Sequence, residues 1–168
     1  MLTVLIETSN HEEALARTLA SLVGAAVEGA VREVIVCDLG SSDRTDGVAD
    51  QAGCRYLASG GIAAGIAEAK SDWLLLLEPG ARLVDGWEEA VLEHVELMAM
   101  PARFSRSHAD RPPFLARIFS SRRALSEGLL VRKAQVSAAA RHAGNAEAIA
   151  RGLATKRLRA EIRVAPPL

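Results

Sequence analysis

Asp38 and the small polar residues after it are the first candidates for chemistry. Val34-Ile35-Val36-Cys37 is an unbroken apolar run that leads directly into Asp38-Leu39-Gly40-Ser41-Ser42-Asp43-Arg44-Thr45. A short apolar run bounded by turn residues reads as a strand buried on both faces. Gly40 lets the chain turn sharply, because a residue without Cβ enters the left-handed region at no steric cost. Ser41, Ser42 or Asp43 can then cap a helix that starts near Thr45. The product is a carboxylate at the carboxyl end of a buried strand, where open parallel sheets bind ligands. Asp38 is therefore either a ligand contact or the cap of its own turn, a common role for aspartate.

Other residues compete for chemical roles. Ser59-Gly60-Gly61-Ile62-Ala63-Ala64-Gly65 either lets backbone approach a phosphate or simply packs a helix closely on the sheet. Trp73 to Leu77 is a strand, and Glu78 at its end is either a ligand or a turn residue before Pro79-Gly80. Asp110 lies in a polar loop over 108–113, and Glu147 lies at the start of a short helix whose exposed face would also suit it. Arg117, Arg122, Arg123, Arg132 and Lys133 form a basic group that could face a diphosphate or an anionic lipid, or be ordinary surface. His11 extends a helix start, and His94, His108 and His142 read as surface residues.

The elements that must position these groups follow from pattern. Thr3 to Thr8 reads as the first strand. Ser9 with Glu12, or Asn10 with Glu13, forms a capping box. Leu15, Leu19, Leu22 and Val23 then recur at helical spacing. Strand and helix alternate four times in the first 95 residues or so, which predicts an α/β fold with a parallel sheet and right-handed crossovers. The inner face of the helix over 84–98 takes Trp87, Val91, Leu92 and Val95. The second half reads as a strand over 102–107, a helix over 114–125, a strand over 129–131, helices over 133–142 and 145–153, and a strand over 158–164.

Totals set the class. The chain has 168 residues, a length suited to one domain with its own core, in which a regular strand–helix part over 1–98 gives way to a less regular part over 99–168. Its net charge of −1 supplies no field for nucleic acid. With aromatics at 4%, the core must be aliphatic. Cys37 and Cys54 read as buried free thiols, which points to the cytoplasm. No run approaches the roughly 20 apolar residues that span a bilayer, and no signal peptide opens the chain.

Val4 to Leu22, Glu33 to Thr45 and Asp72 to Leu83 together resemble the amino-terminal half of a family 2 glycosyltransferase. The resemblance implies a GT-A fold, a nucleotide-diphospho-sugar transferase-like sandwich with a mostly parallel central sheet. It implies a UDP-sugar or GDP-sugar donor and inverting transfer to an acceptor hydroxyl. Thr8 would lie beside the base, Asp38 on the uracil or ribose edge, and Asn10 at the family's asparagine. Gly40, Ser41 and Asp43 belong to the matching turn, and Gly61 falls in a loop near the nucleotide. Glu78 takes the first acidic position of the family's metal motif for Mn or Mg, while Gly80 replaces the other acid. Glu7, Ser9 and His11 stand where Pro, Tyr and Glu are usual. The family's general base falls near Glu147, with Asp110 a second candidate. Missing parts leave open a non-catalytic relative that binds nucleotide sugars or serves as an interaction module. A nicotinamide-dependent enzyme is disfavoured, since no G-x-G-x-x-G follows the first strand.

Overall fold

A computed structural model describes residues 1–107 and 123–165. Strand β1 (Leu2–Thr8) is its hub, buried along almost its whole length. It pairs in parallel with β2 (Val31–Asp38) on one side and with β4 (Trp73–Leu77) on the other. Strand β3 (Arg55–Leu57) extends the sheet in parallel beyond β2. Beyond β4 lie β7 (Leu129–Arg132), β6 (Ala102–Arg106), β8 (Lys156–Arg163) and the short β5 (Arg82–Leu83). The order is β3-β2-β1-β4-β7-β6-β8-β5.

Parallel pairing governs the first four strands, as strand–helix alternation requires. Past them the pattern is mixed: β7 runs antiparallel to both β4 and β6, β6 and β8 are parallel, and β5 and β8 are antiparallel. Both halves of the chain thus share one sheet.

Helices cover both faces. On one lie α1 (Glu12–Ala20), α2 (Val23–Val27), α3 (Thr45–Gln51) and α5 (Trp87–Leu97), which place Leu15, Leu19, Ala25, Ala49, Trp87 and Val91 against Val4, Ile6, Val36 and Leu75. On the other lie α4 (Gly61–Glu68), α6 (Lys133–Ala140) and α7 (Ala146–Arg151), which bring Ile62, Ile66, Val136 and Ile149 onto Leu5, Ile35, Cys37 and Leu74. Strand residues alternate between the two cores, so the continuous apolar runs are satisfied on both sides.

Several expectations change. The first helix breaks at Ser21, whose hydroxyl donates to the Thr18 carbonyl at 2.7 Å. Val23 then begins α2 and is 59% exposed rather than part of the inner stripe. Leu92 likewise points outward. His94 is buried, with Nε2–H donating to the Met100 carbonyl at 2.7 Å. The helix expected over 114–125 and His108 lie almost wholly outside the described residues; Ala124–Glu127 forms a 3-10 turn. Cys37 and Cys54 are free thiols, and burial pushes them up to about 12 and about 11.

Gly65 shows how tightly α4 seats on the sheet. A Cβ there would overlap the Cys37 sulfur and meet Leu5 Cδ2 at 3.2 Å. Gly65→Ala is expected to destabilise by about 1–3 kcal/mol through overpacking. A lower urea midpoint at unchanged m-value is the measurement.

Candidate functional site

The chain builds β1, β2 and β3 outward in one direction, then returns through α4 to place β4 on the other side of β1. Neighbouring connections therefore diverge between β1 and β4, and ligands of α/β sheets settle at such a switch point. Thr8 ends β1, Asp38 ends β2 and Glu78 follows Leu77 at the end of β4, so all three meet the same rim. Asp38 and Glu78 are separated by the width of β1, two strand spacings or roughly 10 Å.

Two loops on that rim hold each other. Asn10 sits in the left-handed region at φ 56, and its side-chain oxygen accepts from the amides of Ser42 at 2.7 Å and Asp43 at 3.3 Å. In return the Asn10 amide donates to Ser41 Oγ at 2.8 Å. Asp43 accepts from the Glu12 amide at 3.1 Å and from the Thr45 amide at 3.1 Å, thus serving the first turns of both α1 and α3. Glu12 accepts from the Arg44 amide at 2.9 Å. The local capping box does not form: His11 is the N-cap of α1 and makes no side-chain cap bond. Its Nδ1 instead lies 3.3 Å from the Ser9 amide that donates to it.

Asp38 is 3% exposed and folds back on its own turn. One oxygen accepts from the amides of Gly40 at 2.9 Å and Ser41 at 2.8 Å; the other accepts from the Ser41 hydroxyl. Gly40 makes the turn at φ 99. Burial alone would raise the Asp38 pKa, but the Ser41 hydroxyl, the two amides and the Tyr56 hydroxyl together hold it below the usual range. Tyr56 had no legible role in sequence, being one residue of a short edge strand.

Glu7, noted only as a departure from the family pattern, joins two helix starts. Its Oε1 accepts from the Ile62 amide at 3.1 Å and its Oε2 from the Ala146 amide at 3.0 Å. The amino-terminal end of α4, with Gly60 as its N-cap and Gly61 as its first residue, is thereby met by a carboxylate of the chain itself.

On the β4 side, Glu78 is half-buried, and burial raises its pKa although Arg123 opposes this; Glu147 raises it further and Arg106 lowers it. Arg123 Nη2 lies 3.4 Å from Glu78 Oε2. Glu147 accepts from the amides of Ala124 at 2.7 Å and Leu125 at 2.8 Å, and pairs with Arg151 at 3.1 Å. It is thus a bracket for the 3-10 turn rather than a solvated face. Burial would raise its pKa, but those amides and Arg151 bring it below the ordinary value. The expected basic group is divided. Arg132 lies over the Trp73 ring at 5.2 Å, and Lys133 donates to the carbonyls of Ala67 and Ala69, both toward the opposite rim. Arg117, Arg122 and Asp110 lie outside the described residues.

Comparisons agree with this architecture. The profile described as glycosyl transferase family 2 matches residues 3–131. A TPR repeat-containing protein of Synechococcus elongatus is 34% identical over 125 residues, covering 67% of this chain and 30% of that protein. Among solved structures, TarS of S. aureus superposes with TM-score 0.63 at 17% identity, over 94% of this chain and 57% of that one. Glucosyl-3-phosphoglycerate synthase of Mycobacterium tuberculosis, solved with Mn2+, UDP and glucosyl-3-phosphoglycerate, gives 0.56 at 15% identity, over 81% and 58%. Mannosyl-3-phosphoglycerate synthase of Rubrobacter xylanophilus gives 0.59 at 15%, over 80% and 54%. The chain spans less than a third of the curated relative and little more than half of these solved chains.

Proposed function

The chain belongs to glycosyl transferase family 2, and from that premise we propose that it binds a UDP-sugar or GDP-sugar across the ends of β2, β1 and β4 and transfers the sugar to an acceptor hydroxyl with inversion. The supporting observation is the shared rim on which Thr8, Asp38 and Glu78 stand. In this reading Thr8 and Asp38 face the base and ribose. The Asn10–Ser41–Asp43 latch and Gly40 shape that edge, and Gly61 adjoins it. Transfer requires that the departing diphosphate be neutralised and the acceptor hydroxyl be deprotonated. Asp110 and Glu147 are the candidate bases. The two free thiols, Cys37 buried and Cys54 half-buried, support a cytoplasmic setting. Among the described residues no helix is long and apolar enough to cross a membrane.

The family's divalent metal meets a poor donor set. A hard cation beside a diphosphate takes about six oxygens in near-octahedral array. Glu78 is the one acid at the motif; Gly80 supplies none, and no three His, Cys, Asp or Glu side chains among the described residues converge to hold an ion. These residues do not fit the metal, and no step is assigned to it.

The occupied oxygens of Glu147 favour a second reading, a nucleotide-sugar-binding module without turnover. Calorimetry with UDP, UDP-glucose and GDP-mannose, with and without manganese, distinguishes the two when combined with an assay of released nucleoside diphosphate. Binding with release supports transfer, and binding without release supports the module. No binding of any of the three would defeat both readings.

A further inference from the structure

We propose that Arg123 supplies, at the end of β4, the positive charge that a divalent cation would otherwise bring to the diphosphate, so that ligand binding here does not depend on metal. The inference rests on the nucleoside diphosphate reading above and concerns how that ligand is held.

The backbone at position 80 excludes the missing acid. Gly80 has φ +91, a conformation that L side chains rarely adopt, and a Cβ there would stand 3.2 Å from Ala165 Cβ and 3.5 Å from Ala14 Cβ. Its amide is fixed by Thr18 Oγ1 at 2.8 Å and lies 3.0 Å from the Ala14 carbonyl. The loop after β4 is therefore built around a residue with no side chain, and a second carboxylate cannot be added without moving it.

Glu78 is in turn committed to a cation of the chain itself. Its side chain is 11% exposed and its Oε2 is buried without a hydrogen-bond partner, with Arg123 Nη2 at 3.4 Å. The Arg123 side chain is 35% exposed, so the guanidinium is the more accessible partner of the pair. Its described contacts, with Glu78 and with the Ala165 carbonyl at 3.3 Å, both use Nη2. A guanidinium carries five N–H donors in a planar fork suited to two phosphate oxygens. Arg106, whose charge also acts on Glu78, is held by Ser126 at 3.1 Å and Glu127 at 3.3 Å. Arg123 itself is fixed from below by the turn it opens, Ala124–Glu127, which Glu147 brackets. A diphosphate reaching this rim would thus meet an arginine before it meets Glu78.

The test is titration calorimetry of the full chain with UDP and GDP, and with uridine and guanosine, first in EDTA and then in manganese. The wild type is expected to bind the diphosphate equally well in both. Arg123→Ala should weaken diphosphate binding about tenfold or more, the scale of a hydrogen bond to a charged group, and leave the nucleoside unaffected. Arg123→Lys, which keeps the charge and guards against loss of folding, should lie between them. Arg132→Ala on the opposite rim should match the wild type. A tenfold or larger gain from manganese would overturn the proposal, as would equal loss of nucleoside and diphosphate binding. So would an Arg123→Ala protein that binds like the wild type. Failure of every ligand under every condition would remove the nucleotide reading along with it.

Discussion

Replacing Asp38 with alanine is expected to cost about 2–3 kcal/mol of stability and to abolish detectable nucleotide binding. The stability part follows from the turn. Two amides and a hydroxyl converge on the carboxylate, and each unmet donor that cannot reach water costs roughly 1–3 kcal/mol. Gly40 is exposed, so water recovers part of its loss and the sum stays at the lower end. The binding part follows from the proposed contact with base or ribose. Asp38→Asn separates the two roles. It keeps an acceptor oxygen for the turn but presents an amide where the ligand would meet a carboxylate. The asparagine variant should lose about 1 kcal/mol in urea unfolding and still fail to bind UDP or GDP. If it binds either as the wild type does, Asp38 is a turn cap alone. Acid should act in the same direction as the substitution. The folded-state pKa lies below the unfolded one, so the stabilisation is present above the unfolded value and lost as pH falls through the folded value. A urea midpoint followed downward from neutral pH should therefore fall less in Asp38→Asn than in the wild type across the acidic limb.

The contrast between Asp38 and its neighbours shows what the chain makes legible. The turn Asp38–Thr45 follows from adjacent residues, because every donor to Asp38 except Tyr56 lies within three positions of it. The four parallel strands follow for the same reason: runs such as Val34 to Cys37 and Leu74 to Leu77 carry their own burial on both faces. Ser9, Asn10 and Glu12 suggested a local cap that the fold replaces with bonds spanning 31 or 32 residues, from Asn10 to Ser41 and Ser42 and from Glu12 to Asp43 and Arg44. Such partners compete equally well on local grounds, and only the side-by-side placement of β1 and β2 decides between them. Arg123 and Arg132 look alike in sequence, nine positions apart in one basic group. Strand β7, which ends at Arg132, carries the chain from one rim to the other, so one arginine meets Glu78 and the other Trp73. Past residue 98 the strands pair in both directions, which no alternation rule anticipates.

Glu7 carries the largest effect of this long-range kind, and Glu7→Ala is expected to destabilise by about 2–4 kcal/mol. Its carboxylate accepts amides 55 and 139 positions away, at the first turns of α4 and α7. Each is a hydrogen bond to a charged acceptor, worth roughly 1.5–3 kcal/mol when buried, and each places negative charge at the positive end of a helix. Glu7 is only half-buried, so the two contributions together fall short of twice the upper figure. Glu7→Gln retains one acceptor and should lose about half as much. Both helices touch the rim: α4 begins with Gly61, and α7 carries Glu147, which in turn brackets Ala124 and Leu125 beside Arg123. Loosening Glu7 should therefore propagate from one helix start to the other. Amide exchange is the discriminating measurement. In Glu7→Ala the Ile62, Ala146, Ala124 and Leu125 amides should lose protection by more than the global change in stability accounts for, while amides within β1 and β4 follow the global value. Uniform loss at every site would show that Glu7 contributes to the fold as a whole and does not specifically couple the two helix ends.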